Sequence, residues 1–226
     1  MKTDKLISVI IRVKNEERWV GHCIQSVLDI IDNPEIIIIN NNSHDNSLNI
    51  INHFKRDKNL PNSRPKSYTD IKFLEIDEYT PGKALNRGVS VASNNYVLII
   101  SAHCVIQKFD SNLAIEELKD NSALFGNQIP IWNGKKINKK YIWSHFTNEQ
   151  SINPFSELEG RYFFHNGFSF FKKNTLSKYP FDEELLSKED RYWAKDMINN
   201  NQKIIYSPNF EVEHHFTENG ATWKNM

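Results

Sequence analysis

Four short apolar-rich runs, separated by amphipathic stretches, constrain this chain more than any other feature. They occupy residues 6–13, 35–39, 71–76 and 96–100. Each is too short for a buried helix and long enough for a strand buried on both faces. Between the first two, Trp19, Val20, Cys23, Ile24, Val27, Leu28 and Ile31 recur at spacings of three and four. That spacing predicts a helix over 18–31 with one apolar stripe. Residues 45–54 and 83–93 read as two further helices, and the Pro- and Asn-containing stretch 56–70 reads as a loop. The alternation β-α-β-α-β-α-β calls for a mainly parallel sheet with helices on both faces. Beyond residue 105 the pattern loosens. A helix over 112–119, strands over 123–128, 168–171 and 203–206, and a helix over 189–198 are expected there. The lysines at 135, 136, 139 and 140 mark a polar stretch.

Composition excludes several classes. With 226 residues, the chain suits one domain, read as a single unit over 1–226 with halves 1–105 and 106–226. Basic and acidic residues balance at 28 each, so no global field recruits nucleic acid or anionic lipid. Cys23 and Cys104 have no disulfide or metal-ligand pattern and fit a reduced, cytoplasmic compartment. The N-terminal apolar run, about eight residues, is too short to span a bilayer. No transmembrane segment is expected, although peripheral membrane association through a lipid-linked partner stays open. A dinucleotide-dependent oxidoreductase is disfavoured, because VKNEE follows the first strand where a Gly-x-Gly-x-x-Gly turn belongs.

Ligands of open α/β sheets bind beyond the carboxyl ends of the strands. Three loops leave those ends: Arg12 to Glu17, Asn40 to Asp45, and Ser101-Ala102-His103. Gly82 and Lys83 open the third helix, where glycine permits close backbone approach and lysine offers a point charge to phosphate. Structural readings compete. Asn and Ser in 40–43 favour turns, Asp45 favours a helix cap, and Ser187-x-x-Asp190 has the spacing of a capping box.

These segments resemble a known family. SVIIRVKNEE is similar to the SVIIPxxNEE opening of family 2 glycosyltransferases of the GT-A fold. EIIIINNNSHDNS resembles their EIIVVDDGSTDNT, and PGKALNRGVSVASNNYVLII resembles their G-K-x-x-A-L-N-x-G helix with its strand. PFDEELLSKEDRYWAKDM resembles their FDE…ED segment. The resemblance implies a GT-A, Rossmann-like, mainly parallel sheet with an acceptor-side elaboration at the C-terminal end. It further implies an inverting enzyme that moves a sugar from a nucleotide-sugar donor to a hydroxyl of a glycan or lipid-linked glycan, in surface polysaccharide assembly.

Residue by residue, the resemblance assigns Arg12, Asn15, Glu16, Asn40, Asn42, Lys83, Ser101 and His103 to the donor. Asp190 becomes the general base, beside Glu189. Asn166 and Gly167 fall on the acceptor side, with Arg161 and His165 near them. Apart from the resemblance, Trp193 and Trp132 offer rings that can stack on an acceptor sugar, against the competing reading of a tryptophan as core. Asn86 matches a structural asparagine. The pattern is broken at two ligand positions. Asn40 stands where a base-reading carboxylate is usual, and an amide both donates and accepts. A cytidine monophosphate donor is therefore one expectation. Ser101-Ala102-His103 stands where Asp-x-Asp binds a divalent ion such as Mn²⁺ or Mg²⁺. Imidazole suits softer ions than Mg²⁺ does. Three readings follow: His103, with His214, ligates a transition metal; the reaction is metal-independent; or the chain is a non-catalytic nucleotide- or glycan-binding module. Of the adjacent His214 and His215, only one can enter the site from an extended segment.

Overall fold

A computed structural model describes residues 7–55, 71–138 and 141–223. The apolar runs form strands because both of their faces find cover. Val9, Ile11 and Val13 of β1 (Ile7–Val13) pack with α1 (Val20–Ile30) on one side. Ile10 points to the opposite layer. β2 (Glu35–Asn40) divides in the same way, Ile36 and Ile38 against Ile37 and Ile39. This side-to-side alternation of buried residues is the two-residue period of a strand with no solvent face. α2 (Ser47–His53), β3 (Ile71–Glu75), α3 (Pro81–Val91) and β4 (Tyr96–Ser101) complete the alternating half.

The second half extends the same sheet. β5 (Cys104–Lys108) follows β4 after a two-residue turn, and α4 (Ser111–Glu117) leads to β6 (Ala123–Trp132). Short strands β7 (Lys135–Lys136), β8 (Ser151–Ile152), β9 (Phe155–Ser156) and β10 (Arg161–Tyr162) precede β11 (Phe168–Lys172). α5 (Lys173–Lys178), α6 (Glu189–Asn199) and β12 (Ile204–His215) follow. The main strand order is β3-β2-β1-β4-β11-β6-β12-β5. β1, β2, β3 and β4 run parallel, as do β6 and β12, while β11 is antiparallel to both β4 and β6.

The expected strand at 203–206 is the start of a twelve-residue strand whose register shifts between Ser207 and Glu211. That bulge carries it on to His214 and His215 at the carboxyl edge. The loop expected over 56–70, and Lys139 and Lys140, lie outside the described residues. Among the described residues no helix is long and apolar enough to cross a membrane.

α3 is the link between the two halves. Thr80 caps it, accepting from the Lys83 N–H at 3.1 Å, and donates its own hydroxyl to the Glu183 carbonyl at 2.7 Å. Asn86 donates Nδ2 to the Phe181 carbonyl at 2.8 Å and accepts the Phe181 N–H on Oδ1 at 3.0 Å. Gly82 approaches the same segment. The close contact that its missing side chain permits is with Asp182, where a Cβ would stand 2.1 Å from the carbonyl oxygen.

Helix propensity alone makes Gly82→Ala stabilising by about 1 kcal/mol. The clash is with backbone and cannot be relieved by a rotamer change, so overpacking wins. Gly82→Ala should lower stability by about 1–3 kcal/mol, measured by urea denaturation.

Candidate functional site

A cleft of about 740 Å³ opens at the carboxyl edge of the sheet. Its lining includes Arg12, Glu16, Ser101, His103, Asn166, Gly167, Glu189 and Asp190. Eight residues singled out in the sequence thus meet in one place. β11 is the reason. It starts where β4 ends, with Phe168 opposite Ile100, and the Ser101 N–H donates to the Gly167 carbonyl at 3.1 Å. The segment 165–167 is thereby brought over the ends of β1 and β4.

Asp190 lies in the first turn of α6. It accepts the Asn166 N–H on Oδ2 at 3.3 Å and the Arg191 N–H on Oδ1 at 2.8 Å. The expected capping box is absent. Lys188 is the residue at the helix start, in the left-handed region at φ 66°, and no side chain caps the helix. A lysine there is strained, since left-handed backbone suits glycine and asparagine. Glu189 is buried and accepts Arg12 Nη1 on Oε1 at 3.1 Å. Burial pushes both carboxyls above the usual range. The Asn166 and Arg191 N–H groups work against this at Asp190, and Arg12 does so at Glu189.

His103 donates Nδ1–H to Glu16 Oε1 at 3.0 Å, while Glu16 Oε2 is buried without a partner. A chain of neutral groups runs inward from the cleft lining, where Thr222 and His165 lie, to the buried Gln128 and His214. Gln128 Nε2 donates to His165 Nδ1 at 3.1 Å, and the Gly167 N–H donates to the same nitrogen at 3.0 Å. His165 therefore carries its proton on Nε2 and donates to Thr222 Oγ1 at 3.2 Å. Gln128 Oε1 accepts His214 Nδ1–H at 2.7 Å, leaving His214 Nε2 buried and unpartnered. The His103 and His214 rings lie 4.8 Å apart.

Other expected site residues lie elsewhere. Asn40 is buried, donates to Glu75 Oε2 at 2.8 Å and accepts the Ser43 N–H, so its amide is occupied by the sheet edge. Asn15 and Asn42 hold loops together. The Asn15 side chain accepts the His44 N–H, and the Asn42 carbonyl accepts Lys14 Nζ. Lys83 Nζ pairs with Glu78 at 3.0 Å. Trp193 is a correction to the acceptor set. It is buried among Phe164, Phe171 and Phe181 with its indole N–H on the Tyr179 carbonyl, and it offers no face to a sugar. His214 sits behind His103, and His215 stacks on Trp19 at 3.9 Å.

Gln128, Tyr79 and Thr222 were not singled out in the sequence. Gln128 ends the predicted strand 123–128, so the rule that nominated Ser101 applies to it as well. Nothing local marks Thr222 or Tyr79.

The residues present do not fit a protein-held divalent cation. Positions 101–103 offer a hydroxyl, a methyl and an imidazole already bonded to Glu16. No group of three or more His, Cys, Asp or Glu among the described residues is arranged to hold a metal.

Burial lowers the imidazole pKa to about 3 at His165 and about 4 at His215, and holds His214 well below its ordinary value. These groups are neutral in the fold but charge in the unfolded chain below about pH 6.5. Stability should therefore fall as pH drops from 7 toward 5. The raised carboxyls of Glu189 and Asp190 act in the opposite sense. His214→Gln removes one such group, and its stability–pH slope should be shallower by about one proton, or about 1.4 kcal/mol per pH unit, in urea denaturation across that range.

Comparison with known proteins agrees with this fold. Poly-beta-1,6-N-acetyl-D-glucosamine synthase of Staphylococcus epidermidis is 28% identical over 225 residues, which cover 96% of this chain and 49% of the relative. The chain thus spans about half the length of that curated relative. S. aureus TarS 1-349 in complex with UDP-GlcNAc superposes with a TM-score of 0.70 at 20% identity, covering 98% of this chain and 61% of that one. GalNAc-T7 with UDP, GalNAc and Mn²⁺ gives 0.69 at 13% identity, covering 97% and 45%. Both likenesses speak to the GT-A fold alone. The model of glycosyl transferase family 2 matches residues 8–180, most of the chain, and to that family the chain belongs.

Proposed function

We propose that this chain transfers a sugar from a nucleotide-sugar donor to an acceptor hydroxyl with inversion at the anomeric carbon. The observation that carries the reading is the meeting of Asp190 with the ends of β1 and β4 in one cleft. The donor lies across Arg12, Glu16, Ser101 and His103. The acceptor enters beside Asn166 and Gly167. Its hydroxyl oxygen attacks the anomeric carbon, the carbon–oxygen bond to the donor phosphate breaks, and the bonding pair leaves on the phosphate. Asp190 takes the hydroxyl proton. Its carboxylate is oriented by two backbone N–H groups and sits at a helix N-terminus, which favours the ionised form needed in a base. Burial raises its pKa, which makes it a stronger base once ionised.

A uridine diphosphate amino sugar is the donor class to which the relatives point. TarS has been solved with UDP-GlcNAc, and the Staphylococcus epidermidis relative is named for a polymer of N-acetylglucosamine. The Asn40 amide, bonded to Glu75, gives no support to a cytosine reader. Assembly of a surface glycan is the setting that the relatives favour.

A thermal-shift panel of UDP, UDP-GlcNAc, GDP, dTDP and CMP should give its largest shift with UDP-GlcNAc. Slow donor hydrolysis should accompany binding and fall by about 10²–10⁴-fold in Asp190→Asn, with nucleotide binding retained. Activity should vanish on the acid side, with an apparent pKa above that of an ordinary aspartate. Binding without turnover in the wild type would instead favour a non-catalytic module.

A further inference from the structure

We infer that Arg12 is the built-in cation of this cleft and binds the donor phosphate whose charge grows as the sugar leaves, so that no divalent ion is needed there. The inference rests on the glycosyl-transfer reading above.

Register carries it first. Arg12 is the Cα partner of Ser101 in the parallel β1–β4 pair. The cation therefore stands directly beside the first position of the segment in which family members carry Asp-x-Asp. Two departures from the family pattern, arginine for proline at 12 and the Ser-Ala-His that replaces Asp-x-Asp from 101, meet on one rung of the sheet. The two substitutions match in charge. Losing carboxylates removes the ligands of a divalent cation, and gaining a guanidinium places a fixed cation at the same rung.

Geometry carries it second. Arg12 lines the cleft, and its side chain keeps 22% of its surface exposed. One of its terminal nitrogens bonds Glu189, and among the described residues the guanidinium forms no other hydrogen bond. A guanidinium has five N–H donors in a planar fork, which leaves several for phosphate oxygens. Burial discourages its charge, but the neighbouring Glu189 offsets that, and a guanidinium stays protonated at any working pH. Three other cations line the cleft: Lys14, Lys188 and Arg191. Lys14 is drawn to the Asn42 carbonyl, and Arg191 lies 3.9 Å from Glu159. Lys188 sits on the turn before α6. Of the four, Arg12 is the one mounted on a central strand.

The ion pair with Glu189 also gives Arg12 its position. Glu189 holds the fork at the cleft wall next to Asp190, so the phosphate cation and the base flank the space a sugar would fill. A purely structural role for Arg12, holding Glu189 in place, predicts different results.

The test is titration of UDP against uridine, and of CMP against cytidine, by calorimetry in EDTA and again in Mn²⁺. For the wild type, the preference for the nucleotide over its nucleoside should be the same in both buffers. Arg12→Met should lose about tenfold to a hundredfold of that preference, with nucleoside binding unchanged. Arg12→Lys should recover part of it and serves if the methionine variant does not fold. Glu189→Gln should tighten nucleotide binding by freeing the fork, whereas a structural role predicts that it copies Arg12→Met. Phosphate binding that requires Mn²⁺ and is the same in Arg12→Met overturns this inference and leaves glycosyl transfer standing. Failure of the wild type to bind any nucleotide or nucleotide sugar overturns the proposed function, and this inference with it.

Discussion

One hydrogen bond organises the working edge of this molecule, from the Ser101 N–H to the Gly167 carbonyl. It is the first rung beyond the antiparallel β4–β11 pair, and it turns a parallel sheet into a mixed one where the ligand side begins. A parallel neighbour would present the end of β11 at this edge. The antiparallel one presents its start, so His165, Asn166 and Gly167 arrive from the opposite chain direction. From there Asn166 reaches Asp190, and His165 reaches Gln128 and Thr222. Glycine at 167 is required by crowding. A Cβ there would lie 2.7 Å from the Gln128 amide oxygen and 2.9 Å from His165 Nδ1. The close approach that builds the cleft wall and the absence of a side chain at 167 are the same fact.

Charge is arranged in two layers around that edge. The cleft surface carries ionised groups, with Arg12 against Glu189 and Asp190 on backbone donors. A polar but uncharged chain runs inward from it, from Thr222 and His165 at the cleft lining to Gln128 and His214 behind. Each link there donates in a fixed direction, and each imidazole is too buried to take a second proton near neutrality. A neutral backing gives a rigid hydrogen-bonded wall without adding like charge behind Arg12. An extra buried cation there would compete with it for Glu189 and would cost several kcal/mol unless paired.

The alternating half of the fold is legible in sequence because its strands are buried on both faces, which makes them continuous, and its helices are buried on one, which makes them periodic. β5 is not legible. CVIQK is five residues long, starts two residues after β4 ends, and reads as a continuation of the loop. Most of β12 hides for a different reason. Its register shift near Ser207–Glu211 breaks the apolar run with proline, asparagine and glutamate, so only its first few residues look like a strand. Within the site, residues at strand ends are legible by the carboxyl-edge rule, and the glutamate–aspartate pair by its resemblance to family 2. Asn40 and Lys83 share that resemblance, and Trp193 has a ring suited to a sugar, yet their side chains are taken by Glu75, Glu78 and an aromatic cluster. Sequence order fixes where a backbone goes, but which neighbour captures a side chain depends on residues far away in the chain. Thr222 illustrates this, 57 positions from the histidine it contacts.

The clasp between α3 and the segment at 181–183 has a mechanical meaning. Thr80 and Asn86 together bind backbone atoms of Phe181 and Glu183, and Gly82 lets the two pieces of chain touch. The short link from there to Asp190 leaves little slack. Asp190 is thereby anchored to the nucleotide-side sheet, and the proposed transfer needs no swing of two lobes to bring them together. Adjustment to differently shaped acceptors then falls to the opposite rim, where Asn219 reaches across to the Asn15 carbonyl through one exposed hydrogen bond. That rim can be reshaped without disturbing the placement of Asp190 at the ends of β1 and β4, on which the proposed transfer rests.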